Sequence, residues 1–173
     1  YWDEWESKDC PGTIGKRYGE TVRCYDLMNR LLNDIKINPY GRRHIISLWQ
    51  ENDFEETDGL LPCAFLTDWN VRGEYLDMLL FQRSGDMLTA SGAGGINEVQ
   101  YAALQMMVSK ATGYKPGMFT HVVSNEQIYD RHIEAAEELL KRADEQSLEY
   151  VYRKGYEFTY PKMIFEPDSN DFY

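Results

Sequence analysis

The chain has 173 residues, 43% of them hydrophobic and 27% charged, and a formal net charge of −11. That length can bury one good core, so a single domain spanning 1–173 is expected. The acidic balance excludes a surface that coats DNA or RNA, so any phosphate ligand needs local arginines. No apolar run approaches a membrane span and no signal peptide is evident. The three cysteines, Cys10, Cys24 and Cys63, cannot all pair and are too scattered for a CxxC signature. They read as reduced thiols of a cytoplasmic protein. The sequence opens at Tyr1 without a methionine and stops abruptly at Tyr173, so both ends are expected to be cut.

In chain order, Glu20–Ile37 carries apolar residues at Val22, Tyr25, Met28, Leu31, Leu32 and Ile35, a helical spacing that Pro39 closes. Asn38–Arg43 is a polar loop ending in paired arginines, and His44–Trp49 is a short strand. Glu51–Gly59 is acidic and reads as a solvated face. Phe65–Val71 and Tyr75–Phe81 are two β-rich runs around Arg72-Gly73, a hairpin signal. With those two residues as the loop, Cys63 faces Gln82 and Arg83 lies one position along. Leu88–Gly95 is a small-residue connection that fits neither GxGxxG nor the P-loop. Glu98–Thr112 reads as a helix ended by Gly113, Met118–Val123 as a strand, Asn125–Arg142 as a long amphipathic helix, and Leu148–Phe165 as extended segments. Helices and strands interleave without regular β–α alternation, so the fold class is α+β.

Cys63 is either a small buried core residue or a nucleophile whose thiolate the nearby Arg83 guanidinium favours. Arg42 and Arg43 fit an anion clamp as well as a solvated loop. Asn97 is either the N-cap of the helix at Glu98 or an amide reading the paired N–H and C=O of a uracil. Gln127 completes a Ser-x-x-Gln capping box with Ser124. Tyr129 and His132 are placed three apart on that helix. None of the histidines has a carboxylate or cysteine at metal-ligand spacing, so no metal is expected.

Taken together, these segments resemble the thymidylate synthase family. Asn38-Pro39-Tyr40-Gly41-Arg42-Arg43 resembles its phosphate loop, Leu61-Pro62-Cys63 its nucleophile segment, and Gln82-Arg83-Ser84-Gly85-Asp86 its Gln-Arg-Ser-x-Asp run. Asn97 with Tyr101-Ala102-Ala103-Leu104, Gly117–His121, and Ile128–His132 resemble later signatures. Trp2-Asp3-Glu4-Trp5 and Tyr18-Gly19 also fit. The likeness covers most of 1–143 and thins beyond Gln146. It departs at Ala64, where most members have histidine, and at Gln127, where a histidine usually binds the ribose. The loop from Asp86 to Asn97 is also longer than usual.

The resemblance implies a large mixed sheet packed by helices, and the methylation of dUMP to dTMP. 5,10-Methylenetetrahydrofolate would act as one-carbon and hydride donor, without a metal. Cys63 would add to uracil C6. Arg83 and Ser84 would hold the phosphate, joined by Arg42 and Arg43 from the partner of a homodimer. Asn97 would read the uracil edge, where an aspartate would suit cytosine, and Tyr129, with Gln127, would hold the ribose. Asp86 and Trp2 would meet the folate, and Tyr18 would join the proton network near C5. The family's N-terminal proton-transfer glutamate and C-terminal tail are not in these residues, so the chain alone is expected to turn over weakly or not at all. A pyrimidine-nucleotide hydroxymethylase and a non-catalytic nucleotide- or RNA-binding remnant are the competing expectations.

Overall fold

A computed structural model describes residues 2–8, 11–54, 60–92 and 95–145. Cys10, the acidic stretch 55–59, residues 93–94 and the segment expected to be extended at 148–165 lie outside the described residues.

The apolar spacing expected over 20–37 does form helix, but in two pieces, α1 (Gly19–Cys24) and α2 (Leu27–Ile37). The break falls at Asp26, whose left-handed backbone (φ 51°) is one that aspartate tolerates better than most residues. α2 turns Met28, Leu31, Leu32 and Ile35 onto one face, all buried. β1 (Ile45–Ser47) follows, and then the hairpin of β2 (Ala64–Arg72) and β3 (Tyr75–Gln82). After a short β4 (Gly85–Asp86) come α3 (Ile96–Thr112) and β5 (Lys115–Val123). α3 ends as expected, at a left-handed Gly113 with φ 84°. The last elements are β6 (Glu126–Gln127), a 3-10 turn over Asp130–His132, and α4 (Ile133–Glu145).

The main sheet has the order β1-β2-β3-β5, antiparallel except for the parallel β3–β5 pair; β4 and β6 form a second, parallel pair. Strand alternation sends Trp69 and Val71 of β2 and Leu76, Met78 and Leu80 of β3 to the inner face. With Ile46, Val108 and the α2 row they form the core. The opposite face carries part-exposed Leu66, Leu79 and Phe81 beside exposed Ile45, Met118 and Val122. The α+β class holds, with a mixed sheet packed by helices.

Three expectations are corrected. The hairpin loop is Gly73-Glu74, not Arg72-Gly73, because Arg72 pairs with Tyr75 and Gly73 takes a positive φ of 63°. Glycine at the first loop position is what a type II′ turn requires. A bulge between Ala64 and Leu66 then takes up one residue. Residues 125–129 are not helical, since the parallel pairing of β4 with β6 claims Glu126 and Gln127 and no capping box forms. Finally, Asp53 in the acidic loop is buried at 4% exposure rather than solvated. It meets Lys16 Nζ at 3.5 Å and accepts from the Tyr25 hydroxyl at 3.2 Å.

Candidate active site

The bulge sets what faces Cys63. Ala64 pairs with Gln82, so Cys63, one residue before β2, meets Arg83, one residue past β3. The Arg83 N–H donates to the Cys63 carbonyl at 2.8 Å. The guanidinium does not hydrogen-bond the thiol. It straps the segment ahead of it, with Nε donating to the Pro62 carbonyl at 2.9 Å and Nη2 to the Leu61 carbonyl at 3.0 Å. Its plane also lies over the Trp49 ring, 5.8 Å from the centroid. Cys63 is a free, part-exposed thiol with Sγ 4.0 Å from the Leu61 carbonyl.

Tyr18 reaches the same segment from the start of α1. Its hydroxyl oxygen accepts the Cys63 N–H at 3.0 Å. Burial pushes that hydroxyl above its ordinary value of 10.0, with the Cys63 N–H and the Arg83 charge acting the other way. The Tyr18 backbone stands at φ 48°, ψ −114°, a strained state for a bulky residue. Strain of that kind persists where surrounding contacts over-determine it. An apolar pocket of about 220 Å³ opens beside Tyr18, lined by Val22, Ile46, Leu48, Tyr101 and Leu104 among others. Cys63 does not line it.

Asn97 is not a cap. α3 begins one residue earlier, behind a left-handed Gly95, so the Asn97 side chain is available and donates from Nδ2 to Gln82 Oε1 at 2.9 Å. Gln82, 1% exposed, continues the inward series Leu76-Met78-Leu80 as a buried amide. Its Nε2 donates to the Ser84 carbonyl at 3.0 Å. His121 Nε2 meets Gln82 Oε1 at 3.0 Å, and His121 Nδ1 meets Glu98 Oε1 at 2.9 Å. Gln82 and His121 stand in the family motifs, but neither they nor Glu98 were expected to pair at the site. The signal available was that Gln82 falls in phase with the core residues of β3, where a polar side chain needs partners.

The β4–β6 pair brings Asp86 opposite Gln127, and Tyr129 follows at the start of the 3-10 turn rather than on a helix. Asp86 is a hub. Burial raises its carboxyl, but hydrogen bonds from Thr89 and the Leu88 N–H, with His132 3.6 Å away, outweigh that and hold it below the usual value. Tyr129 is 49% exposed, with Arg131 over its ring and His132 beside it. The backbone of Trp2 lies in a 3-10 turn, Trp2–Trp5, and its indole lies outside what is described.

Arg42 and Arg43 are not brought to Cys63. Ile45 pairs with Asp68 and Ser47 with Leu66, so the arginines lie beyond the Asn70 end of β2, about 24 Å from Cys63 at the usual strand rise. Both are exposed. Among the described residues no cluster of histidine, cysteine and carboxylate side chains could hold a metal, and no helix is long and apolar enough to cross a membrane.

A thiol at the mouth of a strand, with a tyrosine hydroxyl and a guanidinium fixed on the same short segment, is an arrangement suited to nucleophilic addition. The comparisons with known proteins agree on one family. A family model described as thymidylate synthase matches residues 1–171, and the chain belongs to the thymidylate synthase family. It is 53% identical over 146 residues to a thymidylate synthase of Streptococcus pneumoniae, covering 82% of this chain and 51% of that protein. It is 52% identical over 147 residues to one from Lactococcus lactis subsp. cremoris, with the same shares covered. Among solved structures, a thermostable thymidylate synthase A from Bacillus subtilis matches with a TM-score of 0.73 at 30% identity, over 99% of this chain and 58% of that one. The enzyme from T4 phage matches at 0.67 and 31%, over 75% and 45%. The chain spans about half the length of the curated relatives it matches.

Proposed function

We propose that this chain carries the nucleophile-bearing part of a thymidylate synthase, acting as one catalytic domain in the methylation of dUMP to dTMP. The observation that carries this reading is the Cys63 segment, held between the Tyr18 hydroxyl and the Arg83 guanidinium in a chain of that family.

The Cys63 thiolate adds to uracil C6, and the electron pair of the C5–C6 double bond moves toward C5 and O4. The nucleotide C5 is then a nucleophile, and later loss of its proton and release of Cys63 restore the double bond. 5,10-Methylenetetrahydrofolate, when bound, supplies the methylene carbon and a hydride, and leaves as dihydrofolate. Asp86 suits the N–H edge of its pterin, because an ionised carboxylate is an acceptor only. The family likeness assigns Trp2 to the folate as well, and Tyr18 orders protons near C5. Asn97 offers an acceptor and a donor to the uracil edge. Arg83 and Ser84 hold the phosphate, and Gln127 and Tyr129 the ribose.

The phosphate site is completed by Arg42 and Arg43 of a second copy in a homodimer. Their separation from the Cys63 of their own chain supports this, as does the half-apolar outer sheet face with Ile45, Met118 and Val122 exposed. The protein works in the cytoplasm, with its thiols reduced.

Incubation with 5-fluorodeoxyuridylate and 5,10-methylenetetrahydrofolate tests the reading by intact mass. A covalent adduct located at Cys63, absent in Cys63→Ala, is expected. Nucleotide binding without an adduct would replace the enzyme reading with that of a non-catalytic binding remnant.

A further inference from the structure

Glu98 and His121 are paired groups that the reaction above does not use. His121 lies on β5 with its side chain 10% exposed. Its Nδ1 is 2.9 Å from Glu98 Oε1 and its Nε2 is 3.0 Å from Gln82 Oε1. Both neighbours are oxygens, and the Gln82 amide is not free to turn round. Its Nε2 donates to the Ser84 carbonyl, and its Oε1 also accepts from Asn97.

A neutral imidazole has one N–H and one lone pair, so it can satisfy only one of these oxygens. Both distances require a proton. A ring with an N–H on both nitrogens satisfies both oxygens, and it would face the Glu98 carboxylate as its ion partner. Around the pair, the Gly92 N–H donates to the same Glu98 oxygen at 3.2 Å, and the Phe119 ring stacks on the imidazole with centroids 6.2 Å apart. Glu98 also sits in the first turn of α3, where the helix dipole favours a negative charge.

We propose that the Glu98–His121 ion pair is a specificity-determining positioning pair, which fixes the Gln82 amide and, through it, holds the Asn97 amide in one donor–acceptor order. This rests on the reading of Asn97 as the residue that meets the pyrimidine edge. Uracil offers an N–H at N3 and an acceptor at O4. Cytosine offers the reverse, an acceptor at N3 and an amino donor at C4. An unrestrained asparagine answers either by turning over. Asn97 cannot, because its Nδ2 is committed to Gln82 Oε1 and its Oδ1 is left in a fixed place. Without the His121 donor only the Ser84 carbonyl orients Gln82, the hold on Asn97 loosens, and cytosine gains a matching edge when the two amides turn together.

Ring-nitrogen NMR of the histidines, with calorimetric titration of dUMP and dCMP, tests this on the full chain and on His121→Phe, His121→Gln and Glu98→Gln. A glutamine at 121 can place its amide nitrogen where the imidazole Nε2 lies. In the unsubstituted chain both ring nitrogens of His121 are expected to carry protons at neutral pH. In Glu98→Gln, which leaves His121 in place, one of those protons is expected to be lost. The preference for dUMP over dCMP is expected to fall about tenfold in His121→Phe, as for one charge-assisted hydrogen bond, and largely to return in His121→Gln. A singly protonated His121 in the unsubstituted chain, both protons retained in Glu98→Gln, or an unchanged preference in His121→Phe overturns the proposal. Should the chain bind neither nucleotide while His121 is doubly protonated, the nucleotide reading fails and the positioning of Gln82 stands.

Discussion

Ionising Tyr101 in the folded chain would place an anion in a pocket wall beside Tyr18. Burial, with a smaller contribution from the Tyr18 charge, pushes its hydroxyl from 10.0 up to about 12. The folded pKa is raised, so the stability linked to it is complete below pH 10 and is lost as pH rises towards 12. That difference is worth roughly 3 kcal/mol. Urea midpoints measured from pH 9 to 12 should fall more steeply for the unsubstituted chain than for Tyr101→Phe. Tyr18→Phe takes away the acceptor of the Cys63 N–H and is expected to cost about 1 kcal/mol of stability. The same substitution should slow adduct formation at Cys63, followed by mass against time. At this scale the sequence showed Cys63, Arg83 and Tyr18 as a candidate set. It did not show that Arg83 grips backbone carbonyls rather than the thiol, because one bulged residue decides which side chain faces which. What Gln82 and His121 pair with was illegible for another reason: the partners come from α3, β3 and β5, remote in sequence.

The hairpin was legible as an element and misread in register. Arg72-Gly73 and Gly73-Glu74 are equally plausible loops by composition, and the distinction lies in which position needs a positive φ. A Cβ on Gly73 would meet nothing within 4 Å, so Gly73→Ala should cost only the left-handed backbone, about 1 kcal/mol by urea titration. Gly85 is the contrary case. A Cβ there would collide with Ser91 Oγ, 2.2 Å away, and with the Glu126 carboxylate. Gly85→Ala should therefore disturb the β4–β6 pair that sets Asp86 against Gln127, weakening folate binding in titration more than dUMP binding. Residues 125–132 show how local pattern is overridden. Their spacing suits a helix, yet the backbone groups of β4 need partners, and Asn125 and Gln127 supply carbonyls to Gly85 and Met87 at 3.0 Å each.

For the molecule as a whole, the charge of −11 opposes binding of a nucleotide phosphate, which makes the source of its arginines decisive. Arg42→Ala is expected to sediment as a dimer yet bind dUMP more weakly, since Arg42 is exposed. Mixing Cys63→Ala chains with Arg42→Ala/Arg43→Ala chains should restore adducts to about a quarter of all sites, as random twofold pairing requires. Restoration to none would return the arginines to their own subunit. The α+β class was legible without coordinates, and the Asn38–Arg43 motif was legible as a family likeness. The distance between that motif and Cys63 was not, because it depends on which end of β1 meets which end of β2. That distance carries one further consequence. In the proposed homodimer a nucleotide gripped by two chains at once would hold them together, and nucleotide and subunit association would be thermodynamically linked. On dilution the affinity for dUMP should decline with the dimer, and added dUMP should in turn draw separated chains back into pairs.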